Sequence, residues 1–97
     1  MNISAFTASL DSNQPPQTLR LPLQALWWDA KGNWDKAHEC AQADEKDPPN
    51  QWVHAYLHRK EGDQSNAEYW YSRCGRKPSK ARLEDEWREI VGELLGA

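Results

Sequence analysis

The 97-residue sequence lacks most of the features that assign a function at sight. No run of eighteen apolar residues is present, so no segment reads as a membrane-spanning helix. The beginning of the chain has neither a basic segment nor an apolar core of the secretory type. Cysteine is limited to Cys40 and Cys74, neither in a C-x-x-C context. That excludes a disulfide framework and a Cys-rich zinc knuckle, and it reads as two reduced thiols in a cytoplasmic protein. There is no phosphate loop, no G-x-G-x-x-G and no Gly-framed nucleophile. A catalytic centre would have to be assembled from scattered residues, so the expectation is a non-enzyme without a cofactor. Cationic excess is missing as well. The formal net charge is -3, which argues against a general nucleic-acid binder.

What the sequence does have is tryptophan, six in one short chain. Ninety-seven residues make a single domain with a modest core. Large rings are expected to fill that core in place of aliphatic side chains. The stretch Asn50 to Tyr71 concentrates the pattern, with two Trp, all three Tyr and two of the three His. Pro48-Pro49 stop an incoming helix, and Asn50 is the expected N-cap of the next. Val53, Tyr56, Leu57 and Lys60 then recur at helical spacing. Gly62-Asp63 forms a turn, with Gly62 suited to a left-handed helix end. A second helix follows with Ala67, Trp70, Tyr71 and Cys74 on one stripe and Gly75 at its close.

The pattern repeats at an offset of thirty. Ala25, Gly32 and Ala37 correspond to Ala55, Gly62 and Ala67, and Asn33 corresponds to Asp63. These are positions that a helical hairpin constrains: Gly at the turn, small residues where two helices approach. Over residues 22 to 80 the chain resembles the tetratricopeptide repeat family, whose unit is a helical hairpin of about 34 residues. The matching residues are Ala55, Gly62, Ala67 and Tyr71, and again Ala25, Trp28, Gly32 and Ala37. The run Asn33-Trp34-Asp35-Lys36-Ala37 and the loop Asp47-Pro48-Pro49-Asn50 are family-like too. Gln51 and His54 stand where the family has Trp and Leu, and His58 stands where it has an aromatic.

The expected architecture is all-α: two antiparallel helical hairpins plus a C-terminal capping helix, behind a polar N-terminal arm. Residues 1–20 form that arm, flexible or docked through Phe6, and residues 21–97 form the helical domain. The first helix is expected from Pro22 to Lys31 and the second from Trp34 to Lys46. The last helix is expected to start at Ser79 as its N-cap. Its apolar stripe is Leu83, Trp87, Ile90, Val91, Leu94 and Leu95, and its polar face carries Glu84, Asp85, Glu86, Arg88, Glu89 and Glu93. Such a stripe seals the last hairpin. Left partly exposed, it would serve a homodimer.

Three sets of residues are candidates for binding. The resemblance implies a concave groove lined by first helices and built to hold a peptide, here Leu26, Asp29, Trp52, Tyr56, Arg59 and Lys60. Trp52, Tyr56 and Arg59 are expected to stay partly exposed, while Val53 and Leu57 point inward. Two aromatics beside two cations suit a peptide with a carboxylate and an apolar side chain. The leading function is therefore a small cytoplasmic protein-interaction module, and the alternative is a metal- or anion-binding regulatory protein. Arg76, Lys77, Lys80 and Arg82, with Ser79 at the start of the last helix, form a basic run that would suit an anion. His54 and His58, spaced H-x3-H, with Glu61 three further on, are the candidate metal ligands. The signature of a metalloprotease is absent, and the expected role of this pair is packing against Trp rings.

Overall fold

A computed structural model describes residues 1–96. Every regular element among them is helical. The order is α1 (Ile3–Ala8), a 3-10 turn (Ser9–Asp11), α2 (Leu21–Ala30), α3 (Trp34–Gln42), α4 (Pro48–Lys60), α5 (Gln64–Arg73) and α6 (Leu83–Gly96). Helices α2 and α3 pack as one hairpin and α4 and α5 as another, with α3 against α4 between them.

The thirty-residue echo is written in the turns. Gly32 sits at φ +81° and Gly62 at +91°, where an L side chain is disfavoured. In the first turn Gly32 N donates to Asp29 O and Asn33 N to Trp28 O. In the second, Gly62 N donates to Arg59 O and Asp63 N to His58 O. The next residue then caps the returning helix: the Asn33 side chain accepts from Lys36 N and the Asp63 side chain from Asn66 N. Ala25, Ala37, Ala55 and Ala67 are all fully buried. Only a methyl group fits where paired helices approach.

Helix boundaries depart from expectation in three places. Helix α4 begins at Pro48, and Asp47 is its N-cap, accepting from Asn50 N. Both prolines fit the first turn, where an N–H would have no partner in any case. Asn50 is therefore inside the helix, buried, with its amide donating to Asp44 O. Helix α3 stops at Gln42, and residues 43–46 turn. Helix α6 starts at Leu83 and not after Ser79. Ser79 Oγ accepts from Ala81 N within a loop instead.

The last helix does not extend the hairpin stack. It lies across α2 and α4 and meets α1. Ile90, Val91 and Leu94 are buried, and Leu83, Trp87 and Leu95 are half-buried against the core. Half of the stripe expected to serve a dimer if exposed is thus spent inside the chain, and Leu83, Trp87 and Leu95 stay partly exposed. Glu86, expected on the polar face, is buried at 1% exposure. The arm is docked: Phe6 is fully buried with its ring 5.8 Å from that of Trp87. Trp27 Nε1 donates to Ser9 Oγ and Lys31 Nζ to Leu10 O. Trp27, Tyr56 and Tyr71 are the largest wholly enclosed side chains. Each such ring removes about 150–250 Å2 from water, which at about 25 cal/mol per Å2 is worth roughly 4–6 kcal/mol.

Candidate functional site

Where α3 crosses α4, all three histidines of the chain meet. His38 comes from α3, and His54 and His58 come from successive turns of α4. His54 and His58 are on one face because four residues make about one turn. His38 reaches them because it lies next to Ala37, whose methyl lets α3 pack closely. His38 Nε2 and His54 Nε2 are 3.0 Å apart, so one carries the proton and the other accepts. One ring nitrogen from each of the three lies within 4.8 Å of the others. His54 and His58 are stacked with centroids 4.8 Å apart.

Indole rings wall the cluster on two sides. Trp34 stacks on His38 at 4.8 Å and 9°, and Trp70 stacks on His54 at 4.0 Å and 20°. Trp34 is itself held by its Nε1, which donates to Leu57 O. His54 and His58 are buried, and His38 is half-exposed. Burial, then the neighbouring His38, His58 and Arg73, push His54 down to about 3. Burial and His58 lower His38 too. At neutral pH His38 and His54 thus bring no charge to the cluster. It is not fully satisfied, since His54 Nδ1 and His58 Nδ1 are buried with no hydrogen-bond partner. Glu61 approaches only His58, at 3.6 Å, too far for a hydrogen bond. The expected set of His54, His58 and Glu61 is therefore corrected: the third member of the cluster is His38.

The expected peptide groove is closed. Trp52 is 4% exposed and Tyr56 is 2% exposed, against the expectation that both would face solvent. Leu26 and Asp29 are buried, Arg59 is half-buried and Lys60 is exposed. The cause is α6, which lies along the face that the first helices would otherwise leave open. It brings Glu86 into a buried network. Glu86 accepts from Arg59 Nη1 at 2.8 Å, from the Tyr71 hydroxyl at 2.5 Å and from Trp52 Nε1 at 3.4 Å. Arg59 Nη2 also donates to Ala81 O. Asp29 forms a second buried centre, accepting from the Tyr56 hydroxyl at 3.0 Å and from Lys60 Nζ at 2.8 Å. Burial and these carboxylates push both tyrosines up. The Trp-Tyr-Arg row of α4 thus locks three helices together.

A smaller opening survives at the edge. A cleft of about 480 Å3 runs between the arm, α2, α4 and α6. Leu10, Leu83 and Trp87 give it an apolar side, with Asp29, Tyr56 and Lys60 at its base. Arg88 stands on its rim and makes no ion pair among the described residues.

The basic run is dispersed. Arg76 pairs with Glu93 at 2.9 Å, and its guanidinium lies 3.4 Å from the Trp52 ring centroid. Arg82 is held by Asp85 at 3.0 Å. Lys77 and Lys80 are exposed. Ser79 is four residues short of α6 and does not cap it, and the first turn of α6 carries Glu84, Asp85 and Glu86, so the argument for an anion at Arg76, Lys77, Ser79, Lys80 and Arg82 loses its geometry. The two thiols, Cys40 and Cys74, are both free and half-buried, and burial raises both.

No family model, curated protein or solved structure matches the chain.

Proposed function

We propose that the chain is a small, non-catalytic, cytoplasmic interaction module of the helical-hairpin kind, which docks a peptide segment in the cleft at the α1–α2–α6 edge. One observation carries this reading: the cleft combines a half-exposed aromatic and aliphatic wall of Leu10, Leu83 and Trp87 with the unpaired cation Arg88 on its rim. A cation without a partner beside exposed apolar surface selects a segment that sets a carboxylate next to a large apolar side chain. Lys60 is paired to Asp29, and Glu84 also lines the cleft, so Arg88 is the cation of the lining that makes no ion pair among the described residues. No helix among the described residues is long and apolar enough to cross a membrane.

A random peptide library displayed on phage and selected against the immobilised protein tests this. Enriched sequences should place Asp or Glu beside Leu, Phe or Trp. Amide shifts on binding should map to Leu10, Leu83 and Arg88. Arg88→Glu, an exposed change, should abolish capture without altering the helical circular dichroism. Enrichment of sequences that bind Arg88→Glu equally well rejects the cleft as the docking site.

A further inference from the structure

We propose that His38, His54 and His58 form a three-imidazole site for one borderline divalent transition ion, Zn2+ in the first instance, which clamps the first hairpin to the second. The proposal is independent of the cleft. The donor set argues for the class of ion. Three imidazoles with no carboxylate among them suit zinc, copper or nickel and disfavour magnesium and calcium. Three His with an open fourth position is also the ligand set of known zinc centres that keep a water. Here the open side is the half-exposed flank of His38.

The geometry is close to what an ion needs. Nitrogens bound tetrahedrally at about 2.0–2.1 Å stand about 3.3 Å apart. His38 and His54 already present theirs at 3.0 Å, and no pair in the cluster exceeds 4.8 Å. The widest gap has to close by at most about 1.5 Å, given that same ligand spacing, which is within reach of ring rotation. Trp34 and Trp70 hold two of the rings in place by stacking. The side-chain amide of Asn66 lies 3.4 Å from His58 Nε2, close enough to fix the orientation of the third.

Packing alone leaves something unexplained. His58 Nδ1 is buried without a hydrogen-bond partner, and buried polar atoms are seldom left so. His38 and His54 share a single proton between two nitrogens that face each other. An ion at this point would sit between the two facing nitrogens, each giving it a lone pair once the proton has moved to the far nitrogen of its ring. A second group, His58 with Glu61 and Asp63, is also within reach of one ion. Its carboxylates are exposed or half-exposed, and Asp63 is already occupied as the N-cap of α5. The three-histidine group is the better centre.

The test uses the untagged full chain, stripped with a chelator and dialysed. Calorimetric titration with Zn2+ should give one equivalent. Titration with Co2+ should give the visible d–d bands of a four-coordinate ion. Zn2+ should raise the Tm of the native chain and raise that of His38→Ala less. His38 is half-exposed, so this variant keeps its fold, and its affinity for Zn2+ should fall by about tenfold or more. Glu61→Gln should bind as the native chain does. A native chain that takes up no Zn2+ and shows no Co2+ bands overturns the proposal without any variant. So does binding that Glu61→Gln abolishes and His38→Ala leaves intact.

Discussion

Glu86 shows what one side chain can decide in this protein. It is an acid in an acidic stretch, yet it is buried and accepts hydrogen bonds from Trp52, Arg59 and Tyr71. Removing one partner of a buried ion pair leaves the other charge uncompensated. Glu86→Ala should therefore cost about 3–5 kcal/mol, read as a lowered urea midpoint. Glu86→Gln, which keeps an acceptor for Arg59, should cost less. If the alanine variant loses under about 1 kcal/mol, as an exposed pair would, the network is not holding α6. His54 makes the second residue-scale prediction. Burial, with the ring of Trp70 stacked on it, lowers it first, and then His38 from α3, His58 on its own helix and Arg73 from α5, down to about 3. Above the ordinary value near 6.5 the imidazole is neutral in both states and pH has no effect. Below it, the unfolded chain takes up a proton that the folded chain refuses. Stability should thus fall by up to about 1.4 kcal/mol per pH unit between pH 6.5 and pH 3. Denaturant midpoints measured with chelator present check this. His54→Gln should flatten the slope.

At the level of helices and turns, the thirty-residue echo was readable because turns and close contacts restrict residue type locally. Gly32 and Gly62 take positive φ, and Ala25, Ala37, Ala55 and Ala67 are buried, as the repeat alone implied. Two changes follow from this. Ala67→Leu should overpack the α4–α5 contact and cost about 1–3 kcal/mol in thermal or chemical unfolding. Gly62→Ala and Gly92→Ala should move stability in opposite directions. A Cβ at either site meets nothing within 4 Å, so only the backbone decides. Gly62 is left-handed, and alanine there should cost roughly 1–2 kcal/mol. Gly92 lies within α6, and alanine there should stabilise by about 0.5–1 kcal/mol. The displaced start of α4 has a local cause: Pro48 and Pro49 read as a stop, but Asp47 caps in front of them, and a proline fits a first turn as well as it ends a helix. The burial of Trp52, Tyr56 and Glu86 was not legible at all. Each depends on α6 folding back across α2 and α4, and a polar face on a helix carries no mark of the partner that covers it. The histidine cluster lay between these extremes. His38 shares the spacing i, i+3, i+4, i+7 with Trp34, Ala37 and Ala41, and an inner stripe between two hairpins must face the next first helix. His54 and His58 were on that helix, so the signal was present in the order of the hairpins.

The whole molecule is closed by its two ends. Helix α6 covers the inner face of the hairpins, and the arm covers part of α6. Phe6 is the arm's one fully buried side chain, set against Trp87. Ser9 accepts from Trp27, and the carbonyl of Leu10 accepts from Lys31. A buried Phe→Ala change in a rigid core costs about 3–5 kcal/mol, because the cavity persists. The arm is different: six residues of helix joined by a long loop can leave the surface altogether. The loss from Phe6→Ala therefore cannot exceed the free energy of docking. Removing residues 1–12 should then lower stability by the same amount as Phe6→Ala, within the roughly 0.5 kcal/mol over which independent effects add. Both variants should shift tryptophan emission to the red, since undocking bares Trp87 and deprives Trp27 of its partner Ser9. Both should also weaken capture of a peptide in the cleft, which loses Thr7 and Leu10 from its wall. A Phe6→Ala chain markedly more stable than the truncated one would mean that the arm stays in place around the cavity. In that case the arm is a fixed part of the core, and the cleft is a permanent feature of the fold that no motion of the N-terminus can open or close.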